Sequence, residues 1–291
     1  MTRTEAGTTA GSWRVGVIGD PVAHSLSPAL QQPGLDALGI PARYALWPTP
    51  ATELPHRVAG LREPDVLGAN VTLPHKLAVM ALLDEVSPLA ERAGAVNTII
   101  NRHGRLLGDN TDIAGFAAAV REVCPDPAGR HALVLGAGGA ARAVALALDE
   151  LRVAGITVLN RNADRASRLA TGLSPVAIGA GALDETTLRR LLPQTTMLIN
   201  ATALGWHAGE TPLPLDLLAL LPDDALVVDL TYRETDLLIA ARGRRLATLD
   251  GLPMLVHQGA RALALWTGQG APLAVMRAAA AAARAARERV G

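Results

Sequence analysis

Short apolar runs rich in β-branched residues alternate with helical patterns from one end of this chain to the other, and no other feature restricts its fold as much. A strand, a crossover helix and a second strand return to one sheet as parallel neighbours, so the alternation predicts βαβ units and a mainly parallel sheet. Two series separate. The first has strands at 14–19, 43–47 and 68–72, then a hairpin over 97–107 that turns at His103-Gly104. The second has strands at 131–136, 156–160, 197–201 and 226–230, a short last strand at 246–249, and helices at 140–151 and 163–170. Helices at 253–267 and 272–289 follow, the latter alanine-rich with an arginine-bearing solvent face. At 291 residues the chain has room for two domains. Gly115 and Phe116 open the helix that joins the first series to the second, and Asp250-Gly251 marks the way out. Ser27-Pro28 reads as N-cap and first helical residue, while Pro33-Gly34 predicts a kink or break soon after.

Charge removes several classes of function. Acidic and basic residues balance at 27 each, leaving no excess to neutralise a phosphate backbone, so nucleic acid is not an expected partner. The single Cys124 excludes an internal disulfide framework and a cysteine-based zinc site, and points to a cytoplasmic setting. Residues 1–12 lack an apolar signal-peptide core, and no apolar run is long enough for a membrane span, so a soluble chain with a disordered tail is expected.

The run Leu135-Gly136-Ala137-Gly138-Gly139-Ala140-Ala141 places a glycine turn between a strand and a helix, the order pyrophosphate binding requires. Gly136 permits the tight turn and Gly138 lets backbone approach phosphate. The helix opening at Gly139 and Ala140 supplies unpaired N–H groups at a positive dipole end. At the end of the next strand an NAD site would carry an acid; here Asn160-Arg161 stands instead, with Arg165 one helical turn on. A guanidinium fork pairs with a 2′-phosphate that a carboxylate would repel, so the expected cofactor is NADP(H). Arg161 could instead cap a surface loop, but the intact glycine turn favours the cofactor reading.

A nicotinamide enzyme reducing a carbonyl must give a proton to the forming alkoxide. The seven histidines (24, 56, 75, 103, 131, 207 and 257) show no metal spacing and suit loops or hydrogen-bonded structure better. Lys76 is the only lysine among 27 basic residues, placed in Asn70-Val71-Thr72-Leu73-Pro74-His75-Lys76 beside a proline that would start a helix. Arginine serves wherever only a fixed charge is needed, but it does not lose a proton at working pH, whereas lysine can. Asp112, in Gly108-Asp109-Asn110-Thr111-Asp112, is the acid that could orient it. Ser25 and Ser27 make a neutral clamp for a small carboxylate, although Ser27 alone is also an N-cap. Asn97 could bind substrate or simply begin the hairpin.

Taken together these segments resemble the shikimate dehydrogenase family from about Val15 to Trp266. The matches are His24-Ser25-Leu26-Ser27-Pro28, the Lys76 and Asp112 segments, Gly115-Phe116, Asn160-Arg161, Asn200-Ala201-Thr202, Tyr232 after Asp229, Met254-Leu255, Gln258-Gly259-Ala260 and Trp266-Thr267-Gly268. The resemblance implies an α/β protein in which residues 1–113 and 252–291 form a substrate domain and 114–251 an inserted Rossmann-type NADP domain. It further implies reversible reduction of 3-dehydroshikimate to shikimate, on the route to chorismate and the aromatic amino acids. Lys76 would be proton donor with Asp112 beside it, and Ser25, Ser27, Thr72, Asn97, Tyr232 and Gln258 would bind substrate. Gly136, Ala137, Gly138, Gly139, Ala140, Asn160, Arg161, Arg165, Thr202 and Gly251 would bind the cofactor. Departures from the family pattern are Gln31-Gln32 after the serine clamp, Asn162 for threonine, Ala203 for serine and Trp206 for methionine, the last placed to narrow the nicotinamide pocket. A paralogue acting on quinate or an aminated ring is the alternative, as monomer or homodimer. A non-catalytic metabolite sensor should have lost Lys76 or Asp112, and both are present.

Overall fold

A computed structural model describes residues 12–289, so the tail expectation falls, but for one residue, outside the described part. The strands are β1 (Trp13–Gly19), β2 (Ala42–Pro48), β3 (Val66–Val71), β4 (Glu85–Val86), β5 (Thr98–Arg102), β6 (Arg105–Asp109), β7 (His131–Leu135), β8 (Gly155–Asn160), β9 (Ile178–Ala182), β10 (Met197–Asn200), β11 (Leu226–Asp229) and β12 (Ala247–Leu249). The helices are α1 (Ser27–Ala37), α2 (Leu54–Ala59), α3 (Pro88–Ala93), α4 (Thr111–Val123), α5 (Gly139–Glu150), α6 (Ala163–Gly172), α7 (Glu185–Leu191), α8 (Asp236–Gly243), α9 (Gly251–Thr267) and α10 (Leu273–Glu288).

Two six-stranded sheets result. One has the order β2-β1-β3-β5-β6-β4, parallel through β2, β1 and β3 and then antiparallel through the β5–β6 hairpin. His103 and Gly104 both take positive φ at its tip, the backbone that a two-residue hairpin turn demands. The other sheet is parallel throughout, in the order β12-β11-β10-β7-β8-β9. Its strand order reverses at β7, with β8 on one side and β10 on the other. The glycine turn after β7 therefore opens at the switch point, where doubly wound sheets bind ligands. Strands β4 and β9 are additions to the sequence expectation: β4 has two residues, and Ile-Gly-Ala-Gly-Ala in β9 carries almost no β-branched signal.

Three local expectations are corrected. No break occurs at Pro33, and α1 runs through it for 11 residues. A proline inside a helix costs about 3 kcal/mol, but Leu30 and Leu35 are fully buried here, each contributing about 1.5–3 kcal/mol. Gly34 meanwhile lies against Leu263 and Met276, where a Cβ would not fit. Ser27 is not the N-cap either: Leu26 holds that position, which leaves the Ser27 hydroxyl free for other partners. The chain after Pro74 makes turns and a 3₁₀ segment at Ala78–Leu82 rather than an α-helix. In addition, α4 begins at Thr111, not Gly115. Gly115 sits within it because α9 crosses so closely that a Cβ would lie 2.8 Å from that of Gln258.

Helices α4 and α9 are tied to α10 by Glu122, which accepts from His257 Nε2 at 2.6 Å and forms an ion pair with Arg277. Arg277 first, and His257 with it, hold the Glu122 carboxyl down to about 2. A depressed carboxyl adds stability above its unfolded value near 4.5 and loses it as pH falls toward 2. Glu122→Gln is therefore expected to lower the melting temperature at pH 7 and to converge on the wild type between pH 4 and pH 2, which thermal melts across that range will show.

Candidate active site

The residues expected to act on substrate come together in one cavity of about 310 Å³ between the two sheets. Ser25, Ser27, Thr72, Lys76, Asn97, Asp112, Tyr232 and Gln258 all line it, joined by Ala140 of the glycine-turn helix and by Gly251. The ends of β1 and β3, the first turn of α4 and the middle of α9 supply one wall, and α5 with the exit of β11 supplies the other.

Lys76 Nζ lies 2.7 Å from Asp112 Oδ2, with side-chain exposures of 21% and 11%. Partial burial keeps this pair from the solvent screening that weakens surface ion pairs. Asp112 is held by the start of α4. Its N–H donates to the Asn110 side chain that caps the helix, and its carboxylate sits in the first turn, where the helix dipole favours negative charge. Asn97 fixes the same helix end, its Oδ1 accepting from Thr111 N at 2.7 Å.

Ser25 and Ser27 form a pair. Ser25 Oγ donates to Ser27 Oγ at 3.0 Å and accepts from Ser27 N–H at 3.1 Å, so the two hydroxyls are aligned before anything binds. Beneath them lies a buried polar floor that sequence reasoning missed. Tyr44 donates to Asn70 Oδ1 at 2.8 Å, Asn70 donates to Thr98 Oγ1, and Thr98, Thr111 and Asn97 share further bonds that reach Gln258. Burial pushes the Tyr44 phenol up, keeping it a neutral donor. The available signal was a polar side chain, Asn70, inside an otherwise apolar strand.

The other cofactor candidates lie outside this cavity, along the carboxyl ends of the second sheet. Gly136 has φ +109°, and a Cβ there would fall 2.7 Å from Ala201 O. At Gly138 and Gly139 a Cβ would meet nothing within 4 Å, so open space faces the start of α5, where no side chain caps the helix. Asn160 Nδ2 donates to Asn162 O, and Asn162 caps α6 through Arg165 N–H. Arg161 and Arg165 are exposed, and neither has a carboxylate partner among the described residues. Thr202 Oγ1 donates to Asn200 Oδ1 at 2.7 Å and accepts from Leu204 N–H. Gly251 permits a close approach, since a Cβ would lie 2.0 Å from Leu230 O. Trp206 does not enter the cavity. It stacks edge-on against Tyr232, ring centres 5.0 Å apart, and lines a neighbouring cavity.

Comparison with known proteins gives the family. The chain matches the shikimate dehydrogenase substrate binding domain over residues 17–99, shikimate / quinate 5-dehydrogenase over 118–207 and the shikimate 5'-dehydrogenase C-terminal domain over 251–281. It is 46% identical over 283 residues to the shikimate dehydrogenase (NADP(+)) of Symbiobacterium thermophilum, covering 95% of this chain and 96% of that one. The chain belongs to the shikimate dehydrogenase family. The Moorella thermoacetica member is 42% identical, covering 90% of each chain. A crystal structure of the shikimate 5-dehydrogenase from Thermus thermophilus, in complex with NADP(H) and shikimate, has a TM-score of 0.84 at 42% identity, covering 93% of this chain and 99% of that one. Quinate dehydrogenase from Corynebacterium glutamicum, in complex with NAD, has the same TM-score at 32% identity and covers 92% and 98%. Among the described residues of this family member, no helix is long and apolar enough to cross a membrane.

Proposed function

We propose that this shikimate dehydrogenase family member reduces 3-dehydroshikimate to shikimate with NADPH, and runs the reverse reaction with NADP⁺. The observation that carries the reading is the Lys76–Asp112 pair at 2.7 Å, facing two prealigned serine hydroxyls across a cavity of small-molecule size. NADPH, when bound, supplies the hydride. The Lys76 ammonium gives its proton to the carbonyl oxygen at C3, becoming a neutral amine that recovers a proton from solvent. Asp112 holds Nζ in place and accepts from a ring hydroxyl. Ser25 and Ser27 donate to the substrate carboxylate, while Thr72, Asn97, Tyr232 and Gln258 surround the ring.

The residues present suit the dinucleotide. The uncapped start of α5, with open space at Gly138 and Gly139, can receive the pyrophosphate. Arg161 and Arg165, with no acid among the described residues paired to them, can receive the 2′-phosphate, and Ala140 and Gly251 border the substrate cavity where nicotinamide must reach. Residues 1–113 with 252–291 then serve as the substrate domain and 114–251 as the NADP domain, in a cytoplasmic enzyme.

A purified-protein assay of shikimate and quinate, each with NADP⁺ and NAD⁺, tests this. Shikimate with NADP⁺ is expected to give the highest kcat/KM; a preference for quinate or for NAD⁺ would overturn the assignment.

A further inference from the structure

The C-terminal helix does more than pack. Its apolar face buries Met276 and Ala280, and its three arginines, although partly or largely exposed, each bond to another element. Arg277 pairs with Glu122 on α4, and Arg284 pairs with Asp250, the N-cap of α9, at 2.6 Å. Arg287 reaches furthest. One guanidinium nitrogen, Nη1, donates to His24 O at 2.7 Å, and the other, Nη2, donates to Ser25 O at 3.0 Å. Tyr232 Oη donates to the same His24 carbonyl at 3.2 Å.

These two carbonyls belong to the loop that presents the serine pair. A fork gripping successive carbonyls fixes the peptide plane between them, and with it the Cα–Cβ direction of Ser25. Because Ser25 Oγ is bonded to both Oγ and N–H of Ser27, any rotation of Ser25 breaks the alignment of the two hydroxyls. Within the loop, Ser25 N–H donates to Val22 O, and no other charged side chain hydrogen-bonds to the backbone of residues 22–26 among the described residues. Arg287 is thus the tether that comes from outside the loop with a full charge.

We propose that Arg287 is a positioning residue for substrate binding: from α10 it sets the loop at His24 and Ser25 so that the Ser25 and Ser27 hydroxyls meet the substrate carboxylate. This rests on the reading of those serines given above. The effect falls on ground-state binding, because the carboxylate lies away from the reacting carbonyl and is held equally before and during proton transfer.

The test is Arg287→Met, measured beside Arg277→Met and in combination with Ser25→Ala. For Arg287→Met, KM for shikimate is expected to rise about three- to tenfold, the scale of lost charged hydrogen bonds at an exposed site. Its kcat, its KM for NADP⁺ and its melting temperature should stay near the wild type. Arg277→Met should leave KM for shikimate unchanged, and Arg287→Met should add little on top of Ser25→Ala. Arg287→Lys, able to reach one carbonyl but not fork both, should fall between. Backbone hydrogen exchange across residues 22–27 should quicken in Arg287→Met with no substrate present, and this readout stands even if shikimate proves not to be the substrate. Unchanged exchange, a KM rise shared equally by Arg277→Met, or full additivity with Ser25→Ala would each overturn the proposal.

Discussion

Lys76→Arg will lower kcat by about two orders of magnitude or more, the usual scale of general acid catalysis, while KM for shikimate changes little. The substitution is informative because of what it retains. Arginine keeps the positive charge, reaches a similar distance and can still pair with Asp112, so attraction for substrate and the electrostatics of the cleft survive. Only the capacity to release and recover a proton is removed. Lys76→Met removes the charge too and leaves the buried Asp112 without its cation. It should raise KM and lower stability as well as kcat. Equal kcat losses in both variants with a KM rise confined to Lys76→Met will separate proton transfer from charge. Steady-state kinetics of both variants in the two directions will measure it.

The second large effect belongs to the glycine turn. Gly136→Ala places a methyl group 2.7 Å from Ala201 O and 3.1 Å from Thr202 N at a φ of +109°, against backbone that cannot rotate aside as a side chain would. Strained backbone of this kind costs about 1–3 kcal/mol before the clash is counted. A melting temperature lower by several degrees is expected. With the cofactor placed as proposed, beside the ends of β7 and β10, KM for NADP⁺ should rise more than about tenfold, since each 1.4 kcal/mol lost is a factor of ten. Gly138→Ala makes the contrast. Its φ of −95° suits any residue and its Cβ meets open space, so the variant should melt like the wild type while binding NADP⁺ less well. Thermal melts and cofactor titrations of the two variants distinguish a glycine kept for the fold from one kept for the ligand.

The sequence pattern revealed the two strand series because β-branched runs and glycine turns are local signals. It missed β9 because a Gly-Ala strand looks like a loop until β8 supplies its hydrogen-bond partners. Of the kink or break expected at Pro33, the break does not form, for the converse reason: the local rule is sound, but burial of Leu30 and Leu35 outweighs one lost helical bond. At the site, Lys76 and the serine pair stood out through rarity and spacing. The polar floor of Tyr44, Asn70, Thr98 and Thr111 did not, since its members come from four separate elements and each one alone is an ordinary strand or helix residue. Arg287 was hidden for the same reason. An arginine on an alanine-rich helix reads as solvated until the fold brings His24 to it.

The central claim is that the chain's only lysine moves the proton, and chemical rescue addresses it most directly. In Lys76→Ala, reduction of 3-dehydroshikimate by NADPH should be slow and should recover with increasing concentrations of small primary amines such as methylamine, which fit the space the side chain vacates beside Asp112. The same amines should leave the wild type unchanged. A Lys76→Ala enzyme that turns over within a few-fold of the wild type with no amine present would contradict the account.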